Sequence, residues 1–233
     1  MKDKVILITG IVSYIVSFLL VVLYLFMEFS VFGMYSPLDR LKTLLFVFIF
    51  MYLGCFLLYK ENKYKKFKLG TFNLWILFSL YLVMLLNMTL FDSYFGRMNG
   101  SNYLLDFSNI ESRIDILTNL IPFRTIINYF IALSNDTISF NSFIYNIFGN
   151  ILAFMPLGLF VPKLIPIINK WWKYFIFASC FIVFIEVMQF ILNVGTLDID
   201  DYILNILGTM IFYFAVKIKC IDKYINKVLY LNN

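Results

Sequence analysis

Six apolar stretches, each about as long as a membrane is thick, constrain this chain more than any other feature. A helix needs about 20 mostly apolar residues to cross a hydrocarbon core of roughly 30 Å. Stretches that meet this length lie at 5–28, 41–59, 71–91, 142–162, 174–192 and 201–217. Only 14% of the residues are charged, compared with about 25% in a typical soluble domain. The sequence therefore predicts an all-α integral membrane protein with about six transmembrane helices.

The basic residues predict how these helices are oriented, because positively charged loops resist translocation. Lysines precede the first helix, follow the second, separate the fourth from the fifth and follow the sixth. The alternate loops hold only Arg40, Lys42, Arg97, Arg113 and Arg124. Both termini are therefore expected in the cytoplasm. The net charge of +5 is explained by topology rather than by nucleic-acid binding.

The longest stretch outside the predicted helices, 92–141, is expected on the extracytoplasmic side. Its part between 114 and 132 is too apolar for a loop in water, and we expect it to lie in the membrane interface or to re-enter the bilayer. Pro122 should break any helix there, because proline lacks the N–H and clashes with the preceding turn. The expected organisation is two N-terminal helices in 1–70, a transmembrane domain in 71–217 and a cytoplasmic tail in 218–233.

The rarity of histidine and cysteine narrows the chemistry. The chain contains no histidine, which removes the commonest metal ligand and general base. Cys55, Cys180 and Cys220 form no CxxC pair, so neither a disulfide framework nor a structural zinc site is expected. No Gly-rich phosphate loop is present. We expect no metal and no cofactor, and any catalysis would depend on carboxylates, arginine, tyrosine or cysteine.

Polar residues inside the fourth and fifth predicted helices are the first candidates for a functional site. Asn146 and Asn150 are four residues apart and share one helix face near the expected outer end, where Gly149 would let a neighbouring helix approach closely. Glu186 and Gln189 are three residues apart, and Glu186 lies about 9 Å below the outer end of its helix. A carboxyl group inside the bilayer is costly and is a candidate functional group. A purely structural role, tying helices together, remains open for all four polar residues.

Three aspartates at the start of the sixth predicted helix supply further candidates. If this helix begins at Asp198, then Asp198, Asp201, Asn205 and Gly208 fall within an arc of about 80° at 100° per residue. An aspartate at a helix start caps the unpaired N–H groups and interacts favourably with the helix dipole. Capping explains one aspartate well, but it explains poorly why Asp200 makes three. Such dense carboxylates can also bind a divalent cation, but the spacing is not that of an EF-hand loop.

The predicted topology brings these groups to the outer ends of helices four to six, and Pro156 with Gly158 predicts a kink deeper in the fourth. Arg124 comes from the same side, where its charge would keep neighbouring carboxylates ionised. We expect an acidic, amide-rich cleft open to the outer leaflet. Its candidate ligand-binding residues are Arg124, Asn146, Asn150, Glu186, Gln189, Asp198, Asp200, Asp201 and Asn205.

Several separated motifs occur in a characteristic order along this part of the chain. They are the NLIPF run at 119–123, the NIFGN run at 146–150, then Phe154, Pro156, Leu157, Gly158 and Pro162, then Glu186 with Gln189, and the DIDD run at 198–201 with Asn205 and Gly208. Over roughly 75–216 the chain resembles the VanZ-like family. Family members often carry a basic residue near the glycine before the aspartates, whereas Thr196 follows Gly195 here. The resemblance implies a bacterial cytoplasmic-membrane protein linked to low-level resistance to teicoplanin and related lipoglycopeptides.

Three functions remain open from the sequence. The cleft would bind a lipid-linked cell-wall precursor or the glycopeptide drug itself. Alternatively, Glu186 and Asp201 would act as acid and base in a membrane enzyme, which requires unlike environments for the two groups. A lipid or solute transporter ranks last, because the inner halves of helices four to six look almost wholly apolar. Membrane lipid is an expected partner and nucleic acid is not, and the sequence leaves the oligomeric state open.

Overall fold

The computed structural model describes residues 2–29, 35–60, 68–92, 114–115 and 117–231. Within these ranges, six helices are long and apolar enough to cross a membrane. They are Lys4–Phe29, Pro37–Tyr59, Leu69–Phe91, Phe140–Leu164, Trp171–Ile191 and Ile199–Lys217. Each overlaps one predicted stretch, so the all-α, multi-pass membrane fold is confirmed. The orientation of the termini and the boundaries at 70 and 217 stay predictions.

The elements follow one another in a simple order. The N-terminal part holds α1 (Lys2–Phe29), α2 (Pro37–Lys60) and α3 (Leu69–Leu86), which continues as a π-helical turn, Asn87–Phe91. The remaining elements are β1 (Thr118–Asn119), α4 (Arg124–Ser134), α5 (Phe140–Phe154), α6 (Leu157–Leu164), a 3-10 turn (Pro166–Ile168), α7 (Trp171–Ile191), β2 (Leu197–Asp198), α8 (Ile199–Lys217) and α9 (Lys219–Val228). Contacts group the chain into two compact units, Met1–Met84 with Asp222–Asn233, and Leu85–Ile221.

The first unit is built around an apolar core, and its described residues include a buried ion pair. Tyr24 packs in the core and donates a hydrogen bond of 2.7 Å to Glu28. Glu28 pairs in turn with Arg40 at 3.3 Å, and both side chains are buried. The sequence placed Arg40 among the loop charges just before a helix. The structure corrects this, because the second helix begins earlier, at Pro37, and contains Arg40.

In the second unit, α8 packs against α5, α6 and α7, and glycines permit two of these approaches. A Cβ atom on Gly208 would collide with the backbone oxygen of Ile151 in α5. A Cβ atom on Gly158 of α6 would lie 2.6 Å from the backbone oxygen of Thr209. Gly149 faces open space, so the prediction that it admits a neighbouring helix is wrong. Close helix approach depends on Gly208 and Gly158 instead.

The two predicted proline breaks are confirmed. The fourth predicted helix is interrupted at Pro156, because α5 ends at Phe154 and α6 begins at Leu157. Pro122 lies between β1 and α4, where Phe123 adopts a left-handed φ of 66°. β1 pairs in parallel with β2, with Asn119 opposite Asp198. This short pairing, which the sequence did not predict, holds the start of α4 beside the start of α8.

Candidate functional site

Asp200 is an N-terminal cap for a helix other than its own. Its side chain is 0% exposed. One carboxylate oxygen accepts the Phe123 N–H at 2.5 Å, and the other accepts the N–H groups of Thr125 at 2.7 Å and Ile126 at 3.1 Å. These donors belong to the start of α4, where N–H groups have no partner within the helix. The carboxylate also lies at the positive end of the α4 dipole, which stabilises its negative charge.

Asp198 caps α8 and at the same time fixes α4. One of its oxygens accepts the Asp200 N–H at 2.8 Å and the Asn119 amide at 3.0 Å. The other accepts the Thr125 hydroxyl at 2.6 Å. We call the four side chains of Asn119, Thr125, Asp198 and Asp200 the latch. Capping thus explains two of the three aspartates, whereas from the sequence it was expected to explain only one of them well.

The third aspartate belongs to a different set of contacts. Asp201 accepts a hydrogen bond of 2.5 Å from the Asn150 amide of α5. One helical turn further along α8, the Asn205 amide donates to Glu186 of α7 at 3.3 Å. Glu186 is 4% exposed and Asn205 is 2% exposed. We call Asn150, Glu186, Asp201 and Asn205 the amide–carboxylate cluster, and it connects α5, α7 and α8.

Glu186 and Asn205 do not face the space where lipid tails would lie, which was a condition of the predicted cleft. Both side chains are enclosed by protein. The Oδ1 atom of Asn205 is buried and accepts no hydrogen bond from a described residue. Because a buried polar atom without a partner is costly, this acceptor would be stabilised by a small hydrogen-bond donor beside the pair.

Gln189 joins the same region through a different helix. Its side chain is buried, and its amide donates to the backbone oxygen of Thr89 at 3.0 Å. Thr89 lies in the π-helical turn that follows α3. The extra residue in such a turn leaves a backbone carbonyl available for a side-chain donor. Gln189 therefore serves as a tie between α7 and this turn.

Two of the predicted site residues, Asn146 and Arg124, have no part in the latch, in the cluster or in the Gln189 tie. Asn146 is exposed on α5 and donates to the backbone oxygen of Ser142 in its own helix. Arg124 is exposed and forms no ion pair with a carboxylate in the described part of the chain. The expected role of Arg124 as the counter-charge of the aspartates is therefore not fulfilled by an ion pair among the described residues, and at longer range it stays a prediction. Backbone N–H groups of α4 take that role for Asp200.

Two latch residues and the π-helical turn were not predicted from the sequence. Asn119 and Thr125 were not among the candidates, although both flank Pro122, and a polar residue on each side of a helix-breaking proline is a usable signal for a capped helix start. Thr89 contributes only its backbone oxygen, which no side-chain pattern reveals. Among the described residues, no group of three or more Cys, Asp or Glu side chains is arranged to hold a metal ion.

Tyr129 reports on the electrostatics beside the cluster. It lies on the packed face of α4, outside the spanning helices. Burial raises the pKa of Tyr129 above its usual value of 10.0, and the negative charges of Asp201 and Asp198 raise this pKa further. The shift means that a neutral phenol is favoured over a phenolate at this position.

Polar residues also continue along α8 beyond the cluster. Thr209, Tyr213 and Lys217 follow Asn205 at intervals of four residues, so each is offset from the one before by about 40° and the four fall within an arc of about 120°. Thr209 hydrogen-bonds the Tyr174 hydroxyl of α7, and Tyr213 donates to the Asn169 backbone oxygen at 2.7 Å. The residues that share this line, which we call the polar seam, are Asp201, Asn205, Thr209, Tyr213 and Lys217. The prediction that the inner halves of these helices are almost wholly apolar is wrong for α8.

The fold and the site define a multi-pass helical membrane protein with carboxylates and amides buried between its last three spanning helices. The sequence profile of the VanZ/LLP1 family matches residues 78–220. The chain therefore belongs to this family, and the match contains every residue of the latch and of the amide–carboxylate cluster. No curated protein and no solved structure matches the chain.

Proposed function

We propose that this VanZ-family protein gives a bacterium low-level resistance to teicoplanin and related lipoglycopeptides. In this proposal, the amide–carboxylate cluster lies at the outer leaflet of the cytoplasmic membrane. It binds a lipid-linked cell-wall intermediate or limits access of the drug to it. The observation that carries the proposal is the hydrogen bond between Glu186 and Asn205, both enclosed by protein inside spanning helices.

The cost of this arrangement supports a functional role. A carboxyl group within a spanning helix is unfavourable unless it faces protein or water, and such groups commonly line substrate sites. Helix association alone requires no ionisable group, because small residues and neutral amides suffice. Gly208 and Gly158 already provide close packing here. Glu186 is therefore better explained by a ligand than by bundle stability.

The chemistry of the cluster restricts the ligand. Glu186 and Asp201 are hydrogen-bond acceptors when ionised, and the Oδ1 atom of Asn205 is another buried acceptor. The preferred ligand group is therefore a donor, such as a hydroxyl, an amide N–H or an ammonium. Cell-wall precursors that end in acyl-D-Ala-D-Ala offer such donors outside the membrane, which is also where glycopeptides bind them.

Drug susceptibility in a sensitive bacterial host tests this proposal. Glu186→Gln and Asp201→Asn each remove a charge with little change in shape. At equal membrane levels, both variants should lose protection against teicoplanin, with vancomycin measured beside it. Asp136→Asn is the matched control, because Asp136 is exposed just beyond α4. If protection is undiminished when both charges are removed, the cluster serves only to pack the helices together and is not a functional site.

A membrane enzyme that modifies an envelope lipid or polymer is the second candidate. Glu186 is buried whereas Asp201 is half-buried, and unlike environments of this kind suit an acid and base pair. This candidate requires a chemical change in lipid-linked precursors or wall polymers that depends on Glu186. Identical envelope composition in the wild type and Glu186→Gln, measured by mass spectrometry, would exclude it.

A lipid or solute transporter is the third candidate, and the polar seam favours it more than the sequence did. Thr209 and Tyr213 are buried and extend the polar groups of α8 away from the cluster. A transport path along the seam predicts that Thr209→Val and Tyr213→Phe reduce protection as strongly as Glu186→Gln does. Full protection in both seam variants would leave the seam as a set of interhelical ties.

A further inference from the structure

We propose that one face of α4 is a lipid-binding surface, with Arg124 on a phospholipid phosphate and the isoleucines Ile127 and Ile131 among acyl chains. We call these three residues the exposed face of α4. None of them belongs to the amide–carboxylate cluster, so the proposal goes beyond the function proposed above. The occupant we assign is the surrounding phospholipid bilayer.

The two faces of α4 point in opposite directions. Ile126, Tyr129 and Leu133 pack against Phe143 and Ile147 of α5 and against Leu204 of α8. At 100° per residue these three α4 side chains span an arc of about 60°. Arg124, Ile127 and Ile131 span a second arc of about 60°, centred about 160° from the first.

Two of the three residues of the exposed face are apolar, although nothing in the described part of the chain covers them. Ile127 is 53% exposed and Ile131 is 51% exposed. The preceding turn adds exposed Leu120, Ile121 and Phe123. A helix that is apolar on two opposite faces is stable when protein covers one face and an apolar medium covers the other.

Lipid is the apolar medium that this fold provides. α5 follows α4 after a short connection at 135–139 and is itself part of a spanning segment. It exposes Phe140, Tyr145 and Phe148, and Phe140 stacks with Phe143, the α5 residue on which α4 packs. The exposed face of α4 therefore continues the lipid-facing surface of the bundle. With 11 residues, α4 is about 16 Å long, or roughly half of the hydrocarbon core, so it lies at or within one leaflet.

Arg124 gives this surface a polar end. It lies at the first position of α4, one turn before Ile127, and is exposed. A long arginine stem can lie along apolar surface while its guanidinium reaches the headgroup level. The planar guanidinium matches a phosphate through two parallel hydrogen bonds. A phospholipid offers both the phosphate and the acyl chains in this arrangement.

Tryptophan quenching tests the acyl contact. In a background with Trp75, Trp171 and Trp172 replaced by Phe, a single tryptophan is introduced as Ile131→Trp or as Leu133→Trp. The full-length protein is reconstituted in vesicles of phosphatidylcholine with brominated acyl chains. The expected result is strong loss of fluorescence for Ile131→Trp and weak loss for Leu133→Trp on the packed face. Equal, weak quenching of both, or protection of Ile131→Trp by a second copy, would overturn the proposal.

A second comparison tests the phosphate. With Ile127→Trp as the probe, brominated phosphatidic acid is compared with brominated diacylglycerol, which differs only by lacking the phosphate. The phosphate-bearing lipid should quench more strongly, Arg124→Gln should abolish this preference, and Arg124→Lys should retain most of it. No preference in the protein with Arg124 intact would refute the assignment of Arg124. Neither experiment measures drug resistance, so a failure here is separate from a failure of the proposed function.

Discussion

Replacing Asp200 by asparagine should loosen the start of α4. Each carboxylate oxygen accepts backbone N–H groups, one from Phe123 and two from Thr125 and Ile126. The asparagine amide retains only one acceptor oxygen, so its NH₂ group must face at least one buried N–H donor. Hydrogen bonds to charged groups contribute about 1.5–3 kcal/mol each. In the least damaging orientation of the asparagine, the hydrogen bond from the Phe123 N–H is lost. The bonds from Thr125 and Ile126 remain, but their acceptor oxygen no longer carries a negative charge.

The expected cost is therefore at least about 2 kcal/mol for keeping α4 closed, and this corresponds to an opening constant about 30-fold larger. Hydrogen–deuterium exchange of the amides in 123–134 measures this opening directly. Asp136→Asn makes the same charge change at an exposed site and should leave exchange unchanged. If Asp200→Asn also leaves the exchange of Thr125 and Ile126 unchanged, the carboxylate does not hold α4, and the latch has been assigned wrongly.

Three further outcomes follow from packing and charge. Gly208→Ala should destabilise the bundle by about 1–3 kcal/mol through overpacking. Gly149→Ala should not, because a Cβ atom at Gly149 meets no atom within 4 Å. Thermal unfolding in detergent measures both effects. Burial and the nearby carboxylates raise the pKa of Tyr129 above 10.0. The neutral phenol therefore contributes fully to folding stability below pH 10.0, and this contribution is lost as the pH rises through the raised pKa. Asp201→Asn should move this pKa down, measured by NMR of labelled tyrosine. Arg40→Ala should cost about 3–5 kcal/mol of folding free energy, because it removes the cation beside the buried Glu28 carboxylate.

Much of the fold could be predicted because its determinants are local. An apolar run of about 20 residues specifies a spanning helix without reference to any partner. Pro122 and Pro156 break helices through their own backbone chemistry. The contacts that position α4 are different in kind. Asp200 binds backbone groups 75 residues earlier in the chain, and no local pattern identifies such a partner.

The site was predicted in part for the same reason. Helix phase correctly grouped Asp201 with Asn205 on α8, since four residues turn a helix by about 40°. The same rule placed Asn146 with Asn150, but only Asn150 lies towards α8, and Asn146 is exposed. A shared helix face does not determine where that face meets its neighbour. The depth and angle of the crossing do, and these depend on Gly208 against Ile151.

Thr209 and Tyr213 of the polar seam were missed because each of them is only weakly polar on its own. Threonine and tyrosine occur commonly in spanning helices, where each can bond to its own backbone or to a neighbouring helix. Their alignment with Asn205 at four-residue intervals is visible in the sequence. The burial of Thr209 and its bond to Tyr174 are visible only in the folded bundle.

Ligand binding by the purified protein tests the central claim most directly. The full chain in lipid nanodiscs is titrated with a labelled lipid-linked cell-wall precursor and, in parallel, with labelled teicoplanin. The wild type should bind one of these probes, and Glu186→Gln should weaken that binding about 10- to 100-fold, the loss expected for one charge-assisted hydrogen bond. Asp136→Asn should bind as the wild type does. Absence of binding by the wild type, or equal affinity in Glu186→Gln, would contradict the claim that the amide–carboxylate cluster is a ligand site.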